Sequence, residues 1–245
     1  MTPPAALGLN KGCSVEALTV PARQVHLAVM AAFTGTGRAP ARGELERTAR
    51  AHGADPAAVL AELAARDVIA FGADGEIRAA YPFSPVPTGI QVRWAGGPPT
   101  YAMCAIDALG VSAMLGRPVT ITAAEPGTGR MVTVHAHRDH ARWNPRRAVV
   151  FVGETDDPGC LSVDRTCGYI NFFTSARAAR AWAGHHPAIT GRVLNQAQAL
   201  REGVAEFGAL LQTRDGTTPP LPNPRRGQRA LRPAGSEGSD VGAQD

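Results

Sequence analysis

With 245 residues, the chain is long enough for one large domain or two small ones. Its formal net charge is +4, and the basic residues are almost all arginines. Many of them lie in predicted loops and in the C-terminal tail, so the charge is weak support for nucleic-acid binding. No stretch is long and apolar enough for a membrane span, and the start lacks the layout of a secretory signal. Four scattered cysteines are too few for a disulfide framework, so we expect a cytoplasmic protein with free thiols.

The first part of the chain predicts three helices followed by a β-hairpin. Residues 1–20 are rich in proline and glycine, and we expect a disordered N-terminus there. The three helices are expected to begin near Pro21, Gly43 and Asp55, with Asp55 as an N-cap before a first-turn proline. A hairpin follows up to Tyr81. This order of elements is typical of a winged helix.

A winged helix raises the question of DNA binding. The third predicted helix would have to read the bases, but it offers Glu62 and only Arg66 at its end. Recognition helices normally present Arg, Lys, Asn or Gln to base edges. We therefore favour a winged-helix-like domain over residues 21–82 that is kept for packing, and we expect no nucleic-acid partner.

The most informative stretch is Tyr101–Gly116, whose apolar residues recur at helical spacing on more than one face. It predicts a buried helix in which Cys104 and Asp107 lie on one face, one turn apart. A buried carboxylate costs several kcal/mol unless it is partnered or protonated. Taken alone, the pair also has an ordinary explanation, in which Cys104 is a packing residue and Asp107 bonds a neighbouring backbone group.

The second half of the chain predicts a sheet flanked by helices. The predicted strands cover residues 119–123, 132–136 and 147–152 and begin again at Cys167. A helix capped by Ser175 should follow the last strand. The final amphipathic helix is expected at about 195–212, before a disordered tail at 213–245.

Three histidines cluster at the end of the predicted hairpin. His135, His137 and His140 form a His-x-His-x-x-His run, a pattern that invites a metal-binding interpretation. Strand alternation exposes His135 and His137 to solvent, and no carboxylate pattern accompanies them. We therefore favour a solvated surface, and the sequence assigns these histidines no role.

Several segments of the chain together resemble the organomercurial (alkylmercury) lyase family, the MerB-like proteins. The likeness covers roughly residues 20–212 and is strongest over 101–211. The motifs that carry it are Tyr-Ala-Met-Cys104-Ala-Ile-Asp107, Cys167-Gly-Tyr-Ile-Asn-Phe-Phe-Thr-Ser175, the hairpin turn with Gly129, Trp182 with His185 and His186 after it, and the final amphipathic helix. The family also begins with a winged helix, which removes most of the reason to expect DNA binding.

The resemblance implies an α+β fold, with an N-terminal winged-helix-like domain followed by a mixed β-sheet domain with flanking helices. The second domain, residues 83–212, would be the catalytic one. In this family two cysteines and one aspartate carry the chemistry and bind mercury, and by motif they fall on Cys104, Cys167 and Asp107. The implied reaction is protonolysis of the carbon–mercury bond, giving a hydrocarbon and Hg(II). We expect the two sulfur atoms to lie close enough for one mercury to bridge them, with Asp107 beside them.

The sequence departs from the family pattern at a few positions. These are Met103, where Trp is frequent, Ala123, Ala124 and Glu125, where a further cysteine is common, and Tyr169 and Asn171, which are often His. The departures bear on substrate range and stability more than on the basic reaction.

The resemblance also implies partners. The substrate would be an organomercurial, no organic cofactor would be needed, small external thiols would support turnover, and mercuric reductase would accept Hg(II). We expect no nucleic-acid or membrane partner. Cys160 lies outside the family motif, and we expect turnover to survive its loss.

Two other functions stay open at this point. One is a homologue that binds a soft metal such as mercury or copper without cleaving a bond. The other is a winged-helix regulator that senses metal through Cys104 and Cys167. Asp107 favours the enzyme, because a pure binder has no need of a proton relay.

Overall fold

The computed structural model describes residues 11–155 and 162–211, which form an α+β fold. The helices are α1 (Lys11–Glu16), α2 (Val20–Thr36), α3 (Arg42–Ala51), α4 (Pro56–Ala65), α5 (Ala105–Leu115), α6 (Ser162–Arg165), α7 (Ala176–Gly184) and α8 (Gln196–Phe207). The strands are β1 (Ile69–Phe71), β2 (Ile77–Ala80), β3 (Phe83–Ser84), β4 (Ile90–Arg93), β5 (Thr100–Ala102), β6 (Val119–Ala124), β7 (Met131–His137), β8 (His140–Asn144), β9 (Val149–Thr155), β10 (Ile170–Phe173) and β11 (Ile189–Leu194).

The strands form two sheets. Eight strands make the larger sheet in the order β1-β2-β3-β5-β4-β6-β7-β8, and three make the smaller one in the order β10-β9-β11. Every strand pair in the described part of the chain is antiparallel. The prediction of a mixed sheet is therefore wrong. Short connections such as that between β6 and β7 can join only antiparallel neighbours, whereas parallel pairing needs a long crossover.

The N-terminal part contains the three helices and the hairpin that the sequence predicts. Asp55 accepts a hydrogen bond from the Ala58 N–H at 3.2 Å and so caps α4, and Pro56 opens that helix. The hairpin β1–β2 does not end the sheet, because β2 pairs with β3 and β3 pairs with β5. Residues on both sides of position 82 thus share one sheet and one apolar core. The winged-helix identity of this part stays a prediction.

Helix α1 lies in the segment that the sequence predicts to be disordered, and for residues 11–16 that prediction is wrong. Gly12 and Val15 are buried there, and so is the Lys11 side chain. A six-residue helix is not stable by itself, so its order depends on contacts with distant parts of the chain. Residues 1–10 and the predicted tail at 213–245 lie outside the described residues.

The core surrounds α5, which packs against the large sheet with almost all of its side chains buried. Helix α8 packs against α5. It is capped by Asn195, whose side chain accepts from the Gln198 N–H. Across the described ranges, none of the helices is long and apolar enough to cross a membrane.

One core residue is unfavourable for stability. His26 in α2 is 0% exposed, and neither of its ring nitrogens has a hydrogen-bond partner among the described residues. Burial, followed by the charge of Arg23, lowers the pKa of His26 from 6.5 to about 4. Between these two pH values the unfolded chain binds a proton at His26 and the folded chain does not, so stability falls as the pH drops through this window.

We predict that His26→Leu stabilises the protein and makes it less sensitive to acid. The change removes two unpaired buried nitrogens, worth about 1–3 kcal/mol at pH 7. It also removes a loss of about 2 kcal/mol that His26 causes between pH 7 and pH 5. Urea unfolding at both pH values measures the effect, and His52→Gln, at an exposed histidine, is the control. An equal loss between pH 7 and 5 in parent and His26→Leu would contradict the prediction.

Candidate active site

Cys104 lies at the N-terminus of α5, one residue before the helix begins. The strand β5 ends at Ala102, and Cys104 is the N-cap of α5 with an extended backbone (φ −153°, ψ 178°). Its Sγ accepts a hydrogen bond from the Asp107 N–H at 3.4 Å. The predicted helix from Tyr101 onward is therefore wrong at its start, because Tyr101 is paired in the large sheet. The thiol and the carboxyl group meet across a helix cap and not on a helix face.

Cys167 reaches the same place from the smaller sheet. It begins a 3₁₀ turn, Cys167–Tyr169, and β10 starts only at Ile170, so the prediction of a strand beginning at Cys167 is wrong by three residues. The turn closes with a hydrogen bond from the Tyr169 N–H to the Thr166 carbonyl oxygen at 2.8 Å. The cysteine is thus held in a compact turn between α6 and β10.

The structure brings the three predicted residues together. The sulfur atoms of Cys104 and Cys167 and a carboxylate oxygen of Asp107 all lie within 4.8 Å of one another. The three residues are only 1%, 6% and 4% exposed, respectively. Two metal–sulfur bonds of about 2.3 Å, the length found in zinc thiolates, span about 4.6 Å. One soft metal ion therefore fits between the two sulfurs, and the predicted proximity is confirmed.

The predicted histidine run does not form a second site of this kind. His135, His137 and His140 are all exposed, and the pairing of β7 with β8 sets His137 opposite His140. His135 Nδ1 lies 3.1 Å from Thr120 Oγ1 on the neighbouring strand. Within the part of the chain that the structure describes, the two cysteines and the aspartate are the one group of three metal-ligand side chains that converges.

Burial decides the protonation of the metal-free site. It raises the pKa of the Cys104 thiol, and the neighbouring Cys167 and Asp107 raise it further. It also raises the pKa of Asp107 to about 8, against the lowering effects of the Lys11 charge and of a hydrogen bond with Cys104. Asp107 Oδ2 has no hydrogen-bond partner among the described residues. At neutral pH the site therefore holds a protonated thiol beside a protonated carboxyl group.

Other ionisable groups lie next to the site, and the sequence patterns did not predict them. Lys11, Asp67 and Glu206 are close enough for their charges to act on Asp107. Tyr81 is only 1% exposed. Burial raises the pKa of Tyr81, and the nearby charges of Cys167, Asp67 and Asp107 raise it further. The only sequence signal was that Lys11 is the single lysine of the chain. The partners of Lys11 are too distant in sequence for any local pattern to reveal them.

The position of α5 depends on a backbone-to-backbone contact with α8. A Cβ atom on Gly203 would lie 2.8 Å from the Gly110 nitrogen and 2.8 Å from the Ile106 oxygen. A Cβ atom on Gly110 would lie 2.5 Å from the Gly203 oxygen. Neither glycine can carry a side chain unless the helices move apart, so this contact fixes the helix that begins after Cys104.

We predict that Gly203→Ala destabilises the protein by about 1–3 kcal/mol, since the methyl group overpacks the contact between the two helices. The matched control is Gly184→Ala at the end of α7, where a Cβ atom meets nothing within 4 Å. The control should be neutral or slightly stabilising. Urea midpoints of the two variants provide the test, and equal midpoints would show that the close contact is unimportant.

The site lies in a part of the chain that matches a known protein family. Residues 83–208, just over half of the chain, match the MerB family model, which is described as alkylmercury lyase. All three residues of the candidate site fall within this match.

Individual relatives agree with the family match. An alkylmercury lyase of Streptomyces lividans is 30% identical over 217 residues, which cover 81% of this chain and 97% of the relative. Alkylmercury lyases of Bacillus cereus and Clostridium butyricum are each 36% identical over 121 residues, 48% of this chain and 51% of the relative. The chain thus spans about half the length of these last two relatives.

A solved structure supports the fold. The crystal structure of the mercury-bound form of MerB2 superposes with a TM-score of 0.64 at 24% identity. The superposition covers 82% of this chain and 96% of the other.

Proposed function

This chain belongs to the alkylmercury lyase family, and from that premise we propose that it cleaves the carbon–mercury bond of organomercurials to give a hydrocarbon and Hg(II). The observation that carries the proposal is the site itself, where two thiols and one carboxyl group converge within 4.8 Å and out of solvent. Mercury is a soft cation and binds thiolate in preference to imidazole or carboxylate. The site therefore offers both the ligands for mercury and a proton for carbon.

The roles that we propose follow from this chemistry. One of the two thiols, Cys104 or Cys167, loses its proton and captures R–Hg⁺, and the other binds the same mercury and makes the bound carbon more basic. The carbon–mercury bond then breaks as a proton is delivered to carbon. In total, R–Hg⁺ and two thiols give R–H, one Hg(II) bound by two thiolates, and one released proton.

Asp107 is the residue to which we assign proton transfer. Its raised pKa, about 8, keeps it protonated near neutral pH in the metal-free site, and its Oδ2 has no hydrogen-bond partner among the described residues. The carboxyl group lies beside both sulfur atoms, so it can pass protons between the thiols and the departing carbon. Carrying Hg(II) requires only the thiols, which is why we favour the enzyme over a carrier.

We also propose a setting for the reaction. Both site cysteines must stay reduced, which suits a reducing compartment such as the bacterial cytoplasm. The scheme uses no organic cofactor, and small external thiols would remove Hg(II) from the buried site. Mercuric reductase is the acceptor that we propose for the released ion.

For the N-terminal part, we propose a winged-helix-like arrangement that packs against the site and reads no DNA. The exposed side chains of α4 are small, namely those of Ala57, Ala58, Ala61 and Ala65. The Glu62 carboxylate already bonds to Thr19, the residue before α2. It accepts from the Thr19 N–H at 2.7 Å and from the Thr19 hydroxyl at 2.6 Å. These side chains leave α4 without groups that hydrogen-bond to base edges.

We therefore predict no salt-sensitive binding to duplex DNA at micromolar protein. Binding through phosphate contacts weakens steeply as salt rises, so titrations at about 50 and 200 mM salt distinguish it from adhesion that involves no phosphate contacts. A salt-dependent affinity would favour the regulator.

The decisive experiment measures benzene release from phenylmercury with excess thiol, together with Hg(II) binding. Asp107→Asn is nearly isosteric, so it should keep most Hg(II) binding while the cleavage rate falls by about 10²-fold or more. Cys104→Ser should lose both activities, because a hydroxyl is a hard, weak ligand for mercury. Cys160→Ser is the control; this cysteine lies outside the described residues, and its loss should leave turnover within about 3-fold.

Three results would count against these assignments. Unchanged cleavage by Asp107→Asn would remove Asp107 from the mechanism. Loss of cleavage in Cys160→Ser as complete as in Cys167→Ser would mean that the second thiol is wrongly identified. A parent protein that binds Hg(II) tightly and releases no benzene would be a carrier.

A further inference from the structure

The single lysine of the chain is buried beside the site and uses all of its hydrogen-bonding capacity. The Lys11 side chain is 7% exposed. Its ammonium group donates to the Asp67 carboxylate at 2.5 Å, to the Asp67 carbonyl oxygen at 2.6 Å and to Ser162 Oγ at 3.1 Å. It also lies 4.0 Å from the centroid of the Tyr81 ring. An ammonium group has three donors, and all three have acceptors here.

The backbone of Lys11 adds a further connection. Its N–H donates to Glu206 Oε1 at 2.8 Å, and Glu206 is 2% exposed near the end of α8. One residue thus joins α1, the turn after α4, the start of α6 and the end of α8. The partners lie 56, 151 and 195 positions away in sequence.

The Ser162 contact leads directly to the second thiol. Ser162 donates to the Asp67 carboxylate from its N–H at 3.2 Å and from its hydroxyl at 2.5 Å. The Ser162 carbonyl oxygen accepts from both the N–H and the hydroxyl of Thr166 at 3.0 Å. Thr166 is the N-cap of the turn that begins with Cys167. A continuous series of hydrogen bonds therefore links Lys11, through Ser162, to Thr166, the residue before Cys167.

A second contact holds α6, but it is more exposed to solvent. Arg78 of β2 forms an ion pair with Asp164, but the two side chains are 48% and 35% exposed. Exposed ion pairs contribute little to stability, whereas breaking a buried pair leaves an uncompensated charge. Loss of the Lys11 contacts should therefore disturb α6 more than loss of the Arg78 ion pair. Arg78 serves as a matched comparison, because it also contacts α6.

We propose that Lys11 is a positioning residue of the lyase site, which holds the Cys167 turn against the N-terminus of α5 through Asp67 and Ser162. The inference rests on the proposed function, in which Cys104 and Cys167 must lie close enough to bind the same mercury. Lys11 does not act on the sulfur atoms directly in this proposal. The positioning effect is through the segment that carries Cys167.

The test compares full-length Lys11→Met and Asp67→Asn with Arg78→Met as the control. The first readout is the iodoacetamide alkylation rate of Cys167 relative to Cys104, resolved by peptide mass spectrometry, which needs no catalysis. Lys11→Met and Asp67→Asn should each raise this ratio about 10-fold or more, and the double variant should add nothing, as expected for partners in one network. Arg78→Met should stay within about 2-fold of the parent.

The second readout is Hg(II) affinity in competition with a small dithiol. Lys11→Met should weaken it about 10-fold or more, since Hg(II) then keeps one protein thiol in place of two. Urea unfolding checks that each variant is folded, and Asp67→Asn, an isosteric change, carries the test if Lys11→Met does not fold.

The outcomes separate the two proposals. A general loosening would expose both thiols equally, so an unchanged alkylation ratio in folded Lys11→Met or Asp67→Asn overturns the positioning role. A selective rise at Cys167 supports that role even if the parent releases no benzene, in which case the lyase function fails by itself.

Discussion

The N-terminus of α5 is the point on which the rest of the structure depends. The contact between Gly110 and Gly203 sets α5 against α8 without intervening side chains, and the cap of the helix is therefore fixed in the core. Helix caps are normally Ser, Thr, Asp or Asn, whose oxygens accept well from the first backbone N–H groups. Here a cysteine takes that position, and sulfur is a weak acceptor. The cap of α5 is therefore weaker than one with an oxygen acceptor, but it holds the Cys104 thiol at a fixed, buried position.

Two opposing effects act on that thiol. A helix N-terminus favours an anion, which lowers a cysteine pKa, whereas burial in apolar surroundings raises it. For Cys104 burial prevails, and Asp107 is likewise shifted toward its neutral form. Under the proposed mechanism this neutrality is useful at both ends of the reaction. A neutral site is compatible with burial before substrate binds, and Hg(II) with two thiolates is neutral again afterwards.

Local chemistry in the sequence was enough to predict much of the fold. The caps at Asp55 and Ser175 and the hairpin of β6 and β7 all depend on neighbours within a few residues. Other predictions failed. The start of α5 was placed too early, because Tyr101 pairs with other strands of the large sheet and cysteine is not a usual N-cap signal. The order of α1 was missed, because Lys11 finds its partners up to 195 positions away. The clustering of the two cysteines came from a family motif, since no local pattern relates residues so far apart.

The two halves of the chain contribute different things to the site. The thiols and the carboxyl group come from the part after position 82, whereas Lys11, Asp67 and Tyr81 come from the part before it. Lys11 contacts both Asp67 and Tyr81 beside the site. Tyr81 lies between β2 and β3 of the large sheet, which continues into β5, the strand that leads to Cys104. A separate DNA-reading domain would have no need of such continuity. The shared sheet is therefore better explained by an N-terminal part that completes the surroundings of the site.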